Sequence, residues 1–352
     1  METTNRCSLN CVHCSVSEEG HPHHQQTGFI DPGLVEALID DLVRVGARFD
    51  ALIPFWLGEP LLHPHFGHIW RHSLRAAARH GTFRKVEVHS NATHLTAARA
   101  AAILNDADVP QVWHLSLDAA TKPTYTLVKG RDRFDKVMAN THALLALKAA
   151  RKARWPRIVF QFIASSNNVS EVGAFREHWT SACRALGLPV RAAAGHVPPG
   201  EDAIVFFRQR DCPTAEMQER ENAVFREAMG ALGLSLPAAS AAGERVLASN
   251  LSPCSAFWKS PVVSWKGDVT TCTRDNLLEN RIGNLAEAPF SELWWGAEMA
   301  GRRAAVARGD YAGLPPCSTC FIPRSLNHAA LSASDIQRQA AYDGARLRGR
   351  VA

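Results

Sequence analysis

The chain lacks any apolar run approaching the ~20 residues that a membrane-crossing helix needs, which excludes a helical span. Its first residues run straight into polar, cysteine-bearing sequence without the apolar core of a signal peptide, so a cytoplasmic location is expected. A strong charge of either sign is also missing: the formal net charge is +5 over 352 residues. The densest basic stretches, KAARKAR (148–154) and RLRGRV (346–351), read as solvated faces, and no nucleic-acid partner is expected. No repeat occurs at solenoid spacing. Hydrophobic residues at 46% and charged residues at 21% are ordinary for a globular chain long enough for one large domain or two smaller ones.

Cysteine is abundant. In a reducing compartment, nine cysteines point to metal or redox chemistry before disulfides. Seven fall into two sets, Cys7, Cys11 and Cys14 near the start and Cys254, Cys272, Cys317 and Cys320 near the end. Cys183, on an apolar helical face, reads as packing. HPHHQQ (21–26) reads as a solvated segment.

Between the two sets, helical and strand signals alternate from residue 30 to about 190. Helical spacing marks 32–46, 65–81, 95–107, 134–153 and 170–188, and strand-like runs fall at 51–58, 85–91, 112–118 and 157–165. This alternation predicts a parallel sheet with crossover helices. Polar residues cluster where strands end: Glu59, Ser90 with Asn91, Ser116 with Asp118, and Gln161. Parallel α/β folds bind ligands at that edge. Residues 196–214 read as loop, 215–233 as a helix, and 237–250 as a mobile connector.

Three thiolates spaced x3 and x2 on one loop suit an iron–sulfur cluster with three irons held and the fourth left open. An open metal position is a binding site for a small molecule. The alternative is zinc with a fourth ligand from His13, His21, His23 or His24, although zinc motifs usually pair C-x2-C with a second such pair.

Cys7-x3-Cys11-x2-Cys14, preceded by Thr4-Asn5-Arg6, resembles the signature of the radical S-adenosylmethionine (SAM) superfamily. In that family SAM chelates the open iron and is cleaved reductively to a 5′-deoxyadenosyl radical that abstracts a substrate hydrogen. Gly58-Glu59-Pro60 resembles the family's GGEP motif, with Leu57 in place of its first glycine; Glu59 would meet the SAM amino group. HSNATHL (89–95) resembles the third-strand TNG-type motif, with Ala92 where glycine is usual. LSLDAATKPTY (115–125) resembles the fourth-strand SLD segment, so Ser116 would approach the SAM ribose or carboxylate. The resemblance further implies Ser90, Asn91, Asp118 and Gln161 in the same pocket, and His13 beside the adenine. Alone, a strand-end Glu or Ser is more often a helix cap; order and spacing behind the cysteine loop favour ligand contact for Glu59 and Ser116.

Cys254-x17-Cys272-x44-Cys317-x2-Cys320 supplies four ligands, enough for structural zinc or a complete [4Fe–4S] cluster. With Trp265-Lys266-Gly267-Asp268, SELWWG (291–296) and PPCSTC, it resembles the SPASM/twitch extension of radical SAM enzymes, in the single-cluster, twitch-like form. Trp258, Trp265, Trp294 and Trp295 are expected to build that domain's core or cover its cluster.

These resemblances imply an α/β fold: a partial (β/α)6 TIM-like barrel with a small C-terminal α+β domain. The expected divisions are 1–195 (core barrel), 196–250 (connector with one helix), 251–330 (auxiliary domain) and 331–352 (helix and tail). The family's first strand lies just before the cysteine loop, and only six residues precede Cys7, so that strand is expected to be short or to lie upstream. Implied cofactors are SAM, its [4Fe–4S] cluster and a second, auxiliary [4Fe–4S] cluster. Implied partners are a reductant such as flavodoxin or ferredoxin and a peptide or sugar-like substrate, oxidised or cross-linked. Cys212, in RDCPT, is a candidate hydrogen donor of a radical epimerase or an inert thiol; the catalytic residue is otherwise open. The competing class is a non-catalytic zinc- or cluster-bearing regulatory protein on the same fold.

Overall fold

The computed structural model describes residues 1–17, 21–104, 108–237, 253–324 and 331–349. Helix α1 (Pro32–Arg44) starts where the Asp31 carboxylate accepts the Gly33 and Leu34 amides and proline presets the first helical φ. It buries Val35, Leu38, Ile39 and Leu42 on one stripe. Helix α2 (Phe66–His80) stops at Gly81, which takes the left-handed conformation that closes a helix without a Cβ clash. The strands β1 (Phe49–Leu52), β2 (Phe83–Ser90), β3 (Gln111–Ser116) and β4 (Arg157–Ala164) are successive parallel neighbours. Helices α3 (Ala97–Ile103), α4 (Lys122–Lys129), α5 (Phe134–Ala150) and α6 (Val172–Ala185) make the crossovers. No helix among the described residues is long and apolar enough to cross a membrane.

The six-stranded sheet carries two further strands, β5 (Val190–Ala194) and β6 (Ala203–Gln209), in the order β1-β2-β3-β4-β6-β5. Here the sequence reading needs correction, because it took 196–214 as loop. The run AIVFF is apolar at every position and shows no alternation, as expected of a strand buried on both faces. The neighbouring Pro-Pro-Gly-Glu-Asp masked it. The core sheet therefore runs past residue 195 to Gln209. Helix α4 was also not anticipated; it is short and closes on Gly130 at φ 68°. Helix α7 (Ala215–Ala231) follows as expected. From residue 238 the expected connector lies outside the described residues.

Strand alternation separates two faces of this sheet. Val88, Trp113, Leu115, Phe160 and Phe207 join the helices in the main core. The opposite face carries a second, small cluster of Val112, Val159, Ile204 and Phe206. Towards the carboxyl ends of the strands this inner face turns polar, with His89, His114, Ser116 and Gln161. Among the described residues no strand precedes the cysteine loop. Met1 to Thr4 are instead buried, with the Met1 amine donating to Ile53 O (3.0 Å) and Thr4 bridging Phe29.

The C-terminal part is a small antiparallel sheet of β7 (Val262–Val263), β8 (Asp268–Thr270) and β9 (Gly283–Asn284), followed by helices Phe290–Trp295, Ala297–Ala307 and Ala333–Leu347. It is tied to the N-terminal part at buried polar contacts. Asp41 accepts the Ser291 amide (2.8 Å) and hydroxyl (3.0 Å), and Trp56 Nε1 donates to Thr273 O (2.9 Å). Glu2 accepts the amides of Leu57 (3.3 Å) and Trp265 (3.1 Å). Of the expected core tryptophans, Trp294 is buried within this part, whereas Trp265 lies on Gly28 of the N-terminal part. A Cβ on Gly28 would sit 2.2 Å from its ring, so this contact needs glycine.

Candidate active site

The cysteine loop is gripped from three sides, two by backbone and one by side chains. Asn10 N donates to Lys129 O (3.1 Å) and Val12 N to Val128 O (3.0 Å), fixing the loop to the end of α4. Gly130 allows this approach: a Cβ there would stand 2.1 Å from Asn10 O. Gly58 does the same on the second side, where a Cβ would meet Thr4 O at 2.1 Å and Glu59 N donates to Arg6 O (2.8 Å). On the third side Ser8 and Thr93 share a hydroxyl hydrogen bond of 2.7 Å, and Asn91 Nδ2 lies 3.7 Å from Cys7 Sγ. Ala92, standing where glycine is usual, does adopt a positive φ of 61°, a strained backbone for a residue with a Cβ.

Glu59 is enclosed, 2% exposed, at the centre of this grip. Its Oε1 accepts Ser90 Oγ (2.8 Å) and Leu61 N (3.1 Å), and its Oε2 accepts Asn91 N (2.7 Å). Glu59 thus also caps the short turn Pro60–Leu62, the structural role that a strand-end acid often has. Burial pushes its carboxyl up to about 7, against the three hydrogen bonds that hold it down. One acceptor position on Oε2 remains for a ligand cation. Ser90 and Asn91 serve Glu59 and the loop directly.

A second network joins the loop to the end of β3. Asp118 is 0% exposed and takes a positive φ of 58°. Its Oδ1 accepts Ile163 N (2.7 Å), and its Oδ2 pairs with Lys129 and accepts Ser116 Oγ (3.0 Å). His13 Nε2 stands 3.7 Å from the same oxygen. Burial alone would raise Asp118, but the Lys129 ammonium beside it more than offsets this and holds it below the usual carboxylate range. Burial pushes His13 down to about 4. Asp118 is therefore a buried brace of the loop. Gln161 faces Ser116 across the β3–β4 register, and its side-chain amide hydrogen-bonds to no described residue. Lys129 and Gly130 were missed in the sequence. The available signal was the Lys-Gly pair closing a short helix just after the SLD segment.

The four C-terminal cysteines form one neighbourhood. Burial raises Cys254 to about 11, with Cys272 and Cys320 adding to the effect, and raises Cys317 to about 12 beside Cys272, Cys254 and Cys320. Such thiols ionise only when a cation compensates them. Donors already point at the sulfurs: Asn280 Nδ2 at 3.1 Å from Cys317 Sγ and Arg274 N at 3.4 Å from Cys272 Sγ. Tetrahedral zinc at ~2.3 Å per sulfur would draw thiolates to ~3.8 Å from one another. Among the described residues, the one group of metal-ligand side chains with donor atoms within 4.8 Å of one another is Glu87, His89 and His114. Cys212 joins neither set; it is 2% exposed, with Sγ 4.0 Å from Arg210 O. The segment 21–26 is largely exposed, as expected, yet two of its histidines also touch the cysteine loop's flanks. His23 and His24 bond the carbonyls of Asn5 (2.7 Å) and Val16 (2.5 Å), on either side of the loop.

Comparison with known proteins agrees with this layout. The sequence model of the radical SAM superfamily matches residues 1–164, and that of the SPASM iron–sulfur cluster-binding domain matches residues 254–321. A relative named "Probable GTP 3′,8-cyclase", from Methanocella arvoryzae, is 33% identical over 146 residues, 41% of this chain and 42% of its own length. The chain thus spans about two fifths of that relative. The solved structure "Native anSMEcpe with bound AdoMet and Kp18Cys peptide" superposes with a TM-score of 0.58 at 15% identity, over 99% of this chain and 96% of that one. "Native anSMEcpe with bound AdoMet" gives 0.56 at 14% identity, over 99% and 96%. At such identities the likeness is one of fold.

Proposed function

Because the chain belongs to the radical SAM superfamily and carries a SPASM iron–sulfur domain, we propose that it dehydrogenates or cross-links a hydroxyl- or side-chain-bearing substrate, with the C-terminal cluster as electron acceptor. The observation that carries this reading is the contrast between the two cysteine sets. Three thiols on the N-terminal loop leave one cluster position for SAM, and four C-terminal thiols leave none. When bound to that first cluster, SAM supplies a radical able to take a hydrogen atom from carbon. A cluster with all four positions filled by cysteine suits electron transfer better than substrate binding.

Cys7, Cys11 and Cys14 would hold the first cluster and Cys254, Cys272, Cys317 and Cys320 the second. Glu59 offers its remaining acceptor position to the SAM ammonium, while Ser116 and Gln161 present polar groups at the ends of β3 and β4. His13, neutral at pH 7 by burial, lines the loop beside them. A one-electron reductant of the flavodoxin or ferredoxin class and a peptide or sugar-like substrate complete the reading, with residence in the cytoplasm. The enclosed thiol of Cys212 lends no support to epimerisation.

A Cys317→Ala/Cys320→Ala variant tests this. Iron falls from about eight to about four per chain, and 5′-deoxyadenosine still forms from SAM and dithionite. Two-electron-oxidised product from a serine peptide or a cyclic polyol is lost. Product at the wild-type level in the variant would refute the assigned acceptor.

A further inference from the structure

Lys85, Glu87 and His89 alternate along β2 on the inner face of the sheet, and His114 lies on the same face of β3. His89 and His114 are register partners, and their rings stack at 4.2 Å and 3°. Phe55 covers the other face of His89 at 5.3 Å and 13°. The ring is anchored at one nitrogen as well. Glu87 Oε1 lies 3.0 Å from His89 Nε2 and 3.1 Å from His114 Nε2, while Glu87 Oε2 pairs with Lys85. An ionised carboxylate only accepts, so both Nε2 atoms carry hydrogen, and in the neutral form of each ring Nδ1 is left as an acceptor.

The two free nitrogens differ. His114 Nδ1 is buried without a partner, an uncompensated cost to the fold. The His89 side chain is 20% exposed, and its Nδ1 bonds to no described residue. Packing does not require this polarity, because the same face is filled by Val112, Val159, Ile204 and Phe206 in its small apolar cluster. A shared metal ion fits poorly. Imidazole lone pairs lie in their ring planes, and planes only 3° apart do not meet at one point. Glu87 is also already paired with Lys85. The location is telling: His89 directly precedes Ser90 and Asn91, which hold Glu59 and approach Cys7.

We propose that His89 is the substrate's hydrogen-bond and proton acceptor, its Nδ1 taking the hydroxyl of an aliphatic alcohol whose carbon-bound hydrogen is removed. The inference rests on the dehydrogenation reading above. In that reaction the C–H hydrogen leaves as an atom to the 5′-deoxyadenosyl radical. The O–H proton passes to His89 Nδ1, the remaining electron to the oxidised C-terminal cluster, and C–O becomes C=O. Glu87 and His114 act as positioning residues. A ring polyol and a serine side chain both carry this chemistry.

The test titrates anaerobically reconstituted, SAM-loaded, unreduced enzyme with myo-inositol in one arm and N-acetylserinamide in the other, with binding read by saturation-transfer NMR. Wild type binds one of the two, which identifies the source. His89→Phe keeps the stack and removes the acceptor, weakening that binding roughly tenfold, the equivalent of one lost hydrogen bond. Glu87→Gln weakens it roughly threefold by loosening the anchor. Iron content reports folding, and His89→Gln replaces His89→Phe if the latter fails to load. Unreduced enzyme turns nothing over, so this result is separate from the dehydrogenation reading, which is judged by trapping a carbonyl product after dithionite. Binding of neither probe, or equal binding by wild type and His89→Phe, overturns the proposal. So does one equivalent of zinc held by wild type and lost in His89→Phe.

Discussion

Glu59 illustrates how one buried side chain caps a turn and still keeps an open acceptor position, the one we propose for the SAM ammonium. It accepts three hydrogen bonds from its own chain, yet burial still raises its carboxyl from 4.5 to about 7. An acid raised in this way stabilises the fold fully only below its unfolded value, and that contribution is lost as pH rises through about 7. Glu59→Gln removes the titration. In cluster-free protein the stability of this variant relative to wild type is therefore expected to rise between pH 5 and 8, by on the order of 2–3 kcal/mol. Urea denaturation at several pH values measures the difference. A pH-independent difference would mean that Glu59 is not the buried titrating acid described here.

Among the elements, α4 matters more than its eight residues suggest, because its C-terminal end presents the carbonyls that receive the cysteine loop. Gly130→Ala places a methyl against Asn10 O and adds roughly 1 kcal/mol of left-handed strain. The expected outcome is loss of the N-terminal cluster only, with iron falling from about eight to about four per chain. Gly173→Ala in α6, where an added Cβ meets nothing within 4 Å, is the control and should load normally. Equal iron in both variants would show that the loop tolerates displacement. The same element was hard to read in the sequence: a helix of eight residues offers only about two turns of periodicity. β6 was hidden for the complementary reason, since a strand buried on both faces has no alternation.

For the molecule as a whole, the placement of the SPASM part against the core depends on a few buried polar contacts. Asp41 is the clearest of them, with both carboxylate oxygens on Ser291. Asp41→Ala leaves the buried Ser291 amide without its acceptor, an expected loss of about 2–3 kcal/mol. The variant should show a lower thermal midpoint and faster tryptic cleavage after Arg281 or Arg302, the sites flanking Ser291, with Asp41→Asn partly restoring both. Wild-type behaviour would mean that the junction is held by apolar packing alone.

Much of the candidate site is legible in the sequence alone. The spacing of Cys7, Cys11 and Cys14 and the order of Gly58-Glu59, Asn91 and Ser116 are local facts, because ligand geometry on one loop and residues at strand ends leave marks in consecutive sequence. Other features were decided only by tertiary structure. Asp118 became a brace once Lys129 was folded against it, and Glu59 acquired a shifted carboxyl through enclosure by Ser90 and Asn91. Glu87, His89 and His114 became one cluster only through the parallel register of β2 and β3. Burial and cross-strand pairing arise between segments distant in sequence, and their energies depend on separation in space, which residue order alone does not specify.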